Sequence, residues 1–540
     1  MLARLVHLGG LAGLLGALLS SVAPAAAQDL GPVPARSTGS RLAPGWQHGA
    51  FMEIFVRAYQ DSDGDGIGDL RGLKDRLGYL QELGIKGIWL MPITASADHD
   101  HGYATTDFRA LEAQYGNLAD LDALIEEAHR RGIGVIVDYV INHAARAHPL
   151  FQQALQDPTS PWRGWFVWQD KAPSGWDIWG QNPWTETPTG SYFATFGPHM
   201  PDFNLRNPAV LAYHESSLRF WLNRGLDGFR LDAVPHLIEN DAQRWNDQPE
   251  SRRLAHQLQA LIKRYPRRHL VCEATANPKA YAAPQVCGSA FAFGLEQQLI
   301  KAARGQADAG AALQAVADYF KSAPPTMATM LANHDIFAGS RVWDQLAGDE
   351  RRYRLAAASY LLLPGTPFIY YGEEIGQAGV PGLAGDAPLR APMSWSDDIT
   401  GFSSGQPFRP LAPNAASHNV AAQQADPASL LNFYKAMLKL RNSRPSIARG
   451  RYEAARVQGQ VFSFQRRLGA QRSLVVLNYD ATGPQDLTLE GLGRGTRLQP
   501  LYPAPLLDST AAPALRADAG GRARLTLAPL SVQVFEISSR

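Results

Sequence analysis

The sequence predicts a (β/α)8 TIM barrel with a small inserted domain after its third strand and a C-terminal antiparallel β-sandwich domain. Three observations predict it. Short apolar runs alternate with amphipathic helical stretches eight times over about 350 residues, the pattern of parallel strands joined by helices. No Gly-rich dinucleotide fingerprint follows the first strand, which argues against a doubly wound open sheet. Beyond about Gly450 the helical pattern gives way to β-like segments, a separate antiparallel unit.

Residues 1–27 have the layout of a secretory signal peptide. Arg4 and His7 precede an apolar run from Leu8 to about Val22, and Pro24-Ala25-Ala26-Ala27-Gln28 offers an Ala-x-Ala cleavage site after Ala27. As a membrane anchor the run is too short to span comfortably, and no later stretch is apolar enough to span. The protein is therefore expected to be exported, to the periplasm or beyond, and free of the membrane after cleavage. Residues 28–45, rich in Pro, Gly, Ser and Ala, read as a linker without regular structure.

Barrel strands are expected at Phe51–Val56, Gly87–Met91, Gly134–Val140, Gly228–Leu231, His269–Cys272, Ala290–Phe293, Thr329–Ala332 and Pro367–Tyr371. Between them, Leu73–Leu83, Leu118–Arg131, Ala209–Asn223, Arg252–Arg264 and Ala311–Tyr319 have helical periodicity. Some 65 residues rich in Trp, Pro and Gly separate the third strand from Ala209, too many for a plain connection. The barrel thus takes residues 46–143 and 206–450, the inserted domain 144–205, and the C-terminal β domain 451–540. In the last of these, Val461–Phe464, Ser473–Leu477, Ala523–Leu527 and Ser531–Glu536 read as strands.

Composition narrows the class. At 45% hydrophobic and 19% charged the chain is globular, and a formal net charge of +1 argues against a nucleic-acid or anionic-membrane partner. Cys272 and Cys287, 15 residues apart, read as a disulfide in an exported protein, the alternative being two buried thiols. Closing a loop of that size contributes ~3 kcal/mol.

In a barrel of this kind chemistry sits just past the C-terminal ends of the strands. Those positions hold Asp138 with Asn142 and His143, Arg230 with Asp232, Glu273, and His334 with Asp335. A lone Asp at a strand end is usually a turn or helix cap. Carboxylates recurring beside an Arg and two His at one barrel mouth read as a site instead.

The segments that carry these residues are Asp-Tyr-Val-Ile-Asn-His (138–143), Gly-Phe-Arg-Leu-Asp-Ala (228–233), Val-Cys-Glu-Ala (271–274) and Ala-Asn-His-Asp (332–335). In this order they resemble the four sequence regions of the α-amylase superfamily, glycoside hydrolase family 13. Supporting blocks resemble it too: Glu53-Ile-Phe through Gly68-Asp69, His101-Gly102-Tyr103, Gly365 through Glu374, and Pro392-Met-Ser-Trp. The resemblance spans about residues 48–450. It implies a retaining mechanism with Asp232 as nucleophile, Glu273 as acid/base and Asp335 as the third carboxylate. Arg230 would hold Asp232 ionised; His143 and His334 would bind sugar hydroxyls, and Tyr103 would form the stacking floor of the subsite.

The loop Asp61-Ser-Asp63-Gly-Asp65-Gly-Ile67-Gly-Asp69 begins like an EF-hand, but its twelfth position is Gly72 instead of Glu. The resemblance implies a structural Ca²⁺ held by Asp61, Asp63, Asp65 and Asp69 with the Ile67 carbonyl. The alternative is an acidic turn without an ion. His199-Met-Pro-Asp202-Phe-Asn204 mixes blocks that mark neopullulanase-like and oligo-1,6-glucosidase-like members, and His236 leans toward α-amylases acting on α-1,4 bonds. Pro235 and Ala104 depart from the family pattern, so no contact is carried over to them. The expected activity is hydrolysis of α-1,4 bonds in starch-derived glucans or maltooligosaccharides. An α-glucosidase or trehalose synthase-like transglycosidase is the alternative, and a non-catalytic carbohydrate-binding scaffold a remote one.

Overall fold

A computed structural model of the chain describes residues 28–37, 39–503 and 514–538; the signal segment expected at 1–27 lies outside them. The central sheet is parallel and seven-stranded. Its strands run, in spatial order, His269–Cys272, Gly228–Leu231, Gly134–Tyr139, Gly87–Leu90, Phe51–Ile54, Thr366–Tyr370 and Ala328–Thr329. Residues 290–291 fill the eighth place. They form only single bridges, Cys272 to Ala290 and Phe291 to Ala328, so the expected strand Ala290–Phe293 closes the barrel without a regular ladder. The strand expected at Thr329–Ala332 also ends early, because the chain leaves the sheet after Thr329 and carries Asn333, His334 and Asp335 to the mouth.

Period-two alternation explains the interior. Phe51, Trp89, Ile136, Val271, Phe291 and Phe368 point inward and form one buried cluster, with Phe51 and Phe368 stacked at 4.8 Å. Their neighbours Met52, Ile88, Val135, Phe229 and Ile369 point outward and pack in the main core with the helices. Those helices include Leu118–Arg130, Pro208–Arg224, Pro249–Ile262, Leu295–Arg304, Ala309–Ser322, Glu350–Leu362 and Leu430–Ser443. The helix expected at Leu73–Leu83 is two, Leu70–Asp75 and Leu77–Leu83, parted at Arg76.

Residues 28–37 and 39–45 have no regular structure, yet they do not hang free. Arg109 donates to the Gly31 carbonyl at 2.9 Å, Asn223 to that of Pro34 at 2.9 Å, and Arg268 to that of Gly39 at 3.2 Å. This strap leads to Trp46, which joins the interior cluster from below; a Cβ on Gly134 would lie 2.2 Å from its ring.

The inserted segment folds as the helix Pro149–Gln156 and a three-stranded antiparallel sheet of Trp168–Gln169, Gly190–Phe193 and Trp184–Thr187. A second, unforeseen antiparallel pair, Thr94–Ser96 with Thr105–Leu111, brackets Tyr103. In the C-terminal domain a six-stranded antiparallel sheet packs one face on the barrel through Phe462, Phe464, Val475, Leu477 and Val534. Its other face meets the pair Gln485–Leu489 and Ala523–Leu527 through Leu474, Val476, Phe535 and Ile537.

Candidate active site

The alternation that buries Phe51, Ile136 and Val271 sends Glu53, Asp138 and Glu273, two residues on, into the barrel one layer higher. Asp138 lies opposite Arg230 in register, and Asp232 follows on the same face. All five side chains are buried. Arg230 is their hub: Nη1 lies 2.8 and 3.0 Å from the two Asp138 oxygens and 2.5 Å from Asp232 Oδ1, and Nη2 lies 3.0 Å from Glu273 Oε2. Ala233, in the left-handed conformation at φ +50°, aims its N–H at Glu273 Oε2 over 2.9 Å. Strained backbone of this kind persists where the surrounding structure holds it.

Tyr103 and His334 form a stacked floor, centroids 5.5 Å apart and planes 13° from parallel. The Tyr103 hydroxyl donates to Asp138 Oδ2 at 2.9 Å and lies 2.6 Å from His334 Nε2, while His334 Nδ1 lies 2.5 Å from Glu53 Oε1. Arg390 donates to Asp335 Oδ1 at 3.2 Å, Asp386 Oδ2 at 3.0 Å and the His334 carbonyl at 3.0 Å. Above the floor opens a cavity of about 580 Å³. Asp232, Glu273, Asp335, Tyr103, His143 and His236 all line it, with Arg230 and His334 buried beneath. Neither ring nitrogen of His143 meets a hydrogen-bond partner among the described residues. His236 stacks on Trp245 at 5.4 Å.

Burial dominates the electrostatics. It raises the Glu273 carboxyl, with the Asp232 charge adding to the rise and Arg230 opposing it. It pushes Asp335 up to about 7 against the pull of Arg390. Burial raises Asp232 too, opposed by the charge and hydrogen bond of Arg230. Glu53 is pushed well above the carboxylate range by burial and then by Asp335. Burial takes His143 down to about 3 and His236 to about 4, so both imidazoles are neutral at pH 7.

The structure thus gathers the eight predicted catalytic and substrate-binding residues into one site. Sequence reading underweighted Asp138, named at a strand end but given no role, and Glu53, noted only within a supporting block. A polar residue two places after an inward Phe in an apolar strand was a readable signal for Glu53. Arg390 and Asp386, in the long stretch after the eighth strand, had none.

Carboxylate oxygens of Asp61, Asp63 and Asp65 lie within 4.8 Å of one another, a donor set of hard oxygens that fits Ca²⁺. Asp69 stands apart from that cluster. Its Oδ1 caps the helix Leu70–Asp75 by accepting from Arg71 and Gly72, both at 2.9 Å, and its Oδ2 accepts from the Ser62 N–H at 2.8 Å. Ile67 donates its N–H to Asp65 Oδ1 at 2.8 Å. The sulfurs of Cys272 and Cys287 lie at bonding distance, 2.07 Å.

Comparison with known proteins agrees with this geometry. The family model for the alpha-amylase catalytic domain matches residues 53–450. Alpha-amylase 3 of Dictyoglomus thermophilum is 33% identical over 446 residues, covering 81% of this chain and 85% of its own. A trehalose synthase/amylase of Mycobacterium tuberculosis is 33% identical over 482 residues, covering 78% and 79%. The crystal structure of an alpha-amylase from H. orenii superposes with a TM-score of 0.76 at 31% identity, covering 91% of this chain and all of that one.

Proposed function

The chain belongs to the alpha-amylase family, and on that premise we propose that it is a retaining glycoside hydrolase. It cleaves α-1,4-glucosidic bonds in starch-derived glucans or maltooligosaccharides. The observation that carries the reading is the single guanidinium of Arg230 contacting both Asp232 and Glu273 at the base of an open cavity.

In this reading Asp232 attacks the anomeric carbon as the bond to the leaving oxygen breaks, and Glu273 gives that oxygen its proton. A covalent glycosyl-enzyme results. Glu273, now ionised, takes a proton from water, which attacks the same carbon and releases Asp232. The raised Glu273 carboxyl suits the first step. Asp335 and the neutral His143 bind hydroxyls of the ring seated on Tyr103, while His334, buried beneath, braces the Tyr103 hydroxyl. Asp61, Asp63 and Asp65, none of which lines the cavity, would hold a structural Ca²⁺, and residues 1–27 support export.

A second reading, an α-glucosidase or trehalose synthase-like transglycosidase, is supported by the relatives that carry such names. It uses the same glycosyl-enzyme, intercepted by a sugar instead of water. Incubation with maltoheptaose, maltose and trehalose in parallel separates the two. Early mid-length fragments with maltose left intact support the amylase; rapid maltose cleavage or conversion to trehalose supports the second reading. Undiminished activity of an Asp232→Asn variant would overturn both.

A further inference from the structure

Three large apolar side chains stand exposed among the described residues: Trp179 at 62%, Phe337 at 53% and Ile336 at 46%. All three line the cavity that holds Asp232, Glu273 and Asp335. Apolar side chains scattered singly over a surface need no explanation, but their gathering at one rim marks a binding surface.

The two aromatic residues arrive from separate elements and each is braced. Trp179 belongs to the inserted segment, at the tip of a turn closed by two hydrogen bonds between Ile178 and Gln181, 2.8 and 3.0 Å long. Its backbone is left-handed at φ +51°, a conformation that bulky residues rarely adopt. Edge contacts to His236 and Trp245, both at 5.5 Å, fix the indole while leaving it open to solvent. Phe337 follows Asp335 by two residues and leans on Phe293 at 5.6 Å. Its short turn is pinned by the Ile336 N–H, which donates to Asp386 Oδ1 at 2.9 Å.

Neither residue belongs to the floor. A ring seated on Tyr103 with its anomeric carbon toward Asp232 directs its leaving group toward the rim of the same cavity, where Trp179 and Phe337 stand exposed. Pyranose rings present apolar C–H faces, which aromatic rings cover while the hydroxyl edges stay solvated. We propose that Trp179 and Phe337 form a two-sided aromatic subsite that holds the glucosyl ring on the leaving-group side of the scissile bond. The proposal rests on the reading that the cavity seats the glycone of an α-glucoside.

Binding and turnover test it separately. Maltotriose is titrated calorimetrically into Asp232→Asn protein with Trp179 intact or changed to Ala or Phe. Affinity is expected to fall roughly ten-fold for Ala and to recover substantially for Phe. In otherwise native protein, Trp179→Ala and Phe337→Ala are compared on maltotriose and on α-glucosyl fluoride, which has no second ring. The loss of kcat/KM on maltotriose should exceed that on the fluoride by about ten-fold. Equal affinities with and without the indole, or equal losses on both substrates, overturn the subsite. A native protein that binds maltotriose through Trp179 but turns over no α-glucoside would sink the catalytic reading, leaving Trp179 as a sugar contact with no scissile bond to flank.

Discussion

Arg230 and Asp138 face each other across adjacent strands, and one guanidinium nitrogen meets both Asp138 oxygens, at 2.8 and 3.0 Å. That same nitrogen reaches Asp232. The charge that faces Asp232, the proposed nucleophile, is therefore shared with a second buried carboxylate, and Asp138 sets how much of it Asp232 receives.

Removing the Asp138 charge tests this sharing. In Asp138→Asn the repulsion between the two carboxylates is gone and Arg230 is left to Asp232. The acid limb of kcat/KM against pH should move to lower pH as Asp232 ionises more readily. Its nucleophilicity should fall with its basicity, lowering the plateau. A pH profile of the purified variant reads both effects, and an unmoved acid limb would show that Asp138 does not govern Asp232.

Glu273→Gln separates acid catalysis from nucleophilic attack. Turnover of maltotriose should fall by roughly 10²–10⁴-fold, the usual contribution of a positioned acid. On α-glucosyl fluoride, whose leaving group needs no proton, the loss of the glycosylation step should be far smaller, measured as fluoride release in the first turnover. Equal losses on the two substrates would take the acid role away from Glu273.

Glu373 makes stability depend on pH. Its carboxyl, buried against the hydroxyls of Tyr360 and Tyr434, is pushed from 4.5 to about 7, chiefly by burial. Because the folded state holds this proton more tightly than the unfolded one, the stabilisation is complete below pH 4.5 and is lost as pH rises toward 7. The stake is on the order of 1–3 kcal/mol. Melting curves of the wild type and Glu373→Gln between pH 4.5 and 8 should converge at the acid end and separate toward neutral pH, with the variant declining less.

Gly228 opens the strand that carries Arg230. Its φ is +146°, and a Cβ there would lie 1.7 Å from the His269 carbonyl oxygen on the neighbouring strand. Gly228→Ala must push those strands apart, which displaces Arg230 and Asp232 together. Denaturant unfolding should show a loss of about 3 kcal/mol or more, and activity should fall even in the fraction that remains folded. A variant as stable as the wild type would mean the sheet accommodates the methyl.

For the acidic loop, adding Ca²⁺ should raise Tm and a chelator should lower it, since an ion that binds only the folded state stabilises by mass action. Asp63→Asn should shrink the difference. An identical Tm in calcium and in chelator would remove the ion from the account.

Periodicity is what made this fold readable. Strands such as Gly228–Leu231 and His269–Cys272 have the bounds expected of them because they are short, mostly apolar buried segments bracketed by polar residues. Ala290–Phe293 looked equally strand-like and makes only two bridges, since a local pattern cannot report how many partners a segment finds in space. Asp232, Glu273 and Asp335 were legible as carboxylates at strand ends. Arg390 was not, because nothing local distinguishes an arginine that folds back onto Asp335 from one in solvent. Residues 28–45 read as a loose linker for the same reason: their carbonyls are bound by Arg109, Asn223 and Arg268, side chains far along the chain.

The barrel is closed by Phe51–Ile54 lying against Thr366–Tyr370, with the Thr366 hydroxyl donating to the Gln47 carbonyl at 3.1 Å. During synthesis the first strand must therefore wait for nearly the whole catalytic chain to be made before its outer edge is covered. Until then it presents unpaired amides and carbonyls beside Phe51 and Met52, an invitation to other nascent chains. Truncation anywhere before Phe368 should consequently yield aggregates that engage chaperones, and the interval between ribosomal exit of Phe51 and of Phe368 is the window in which this protein is most easily lost.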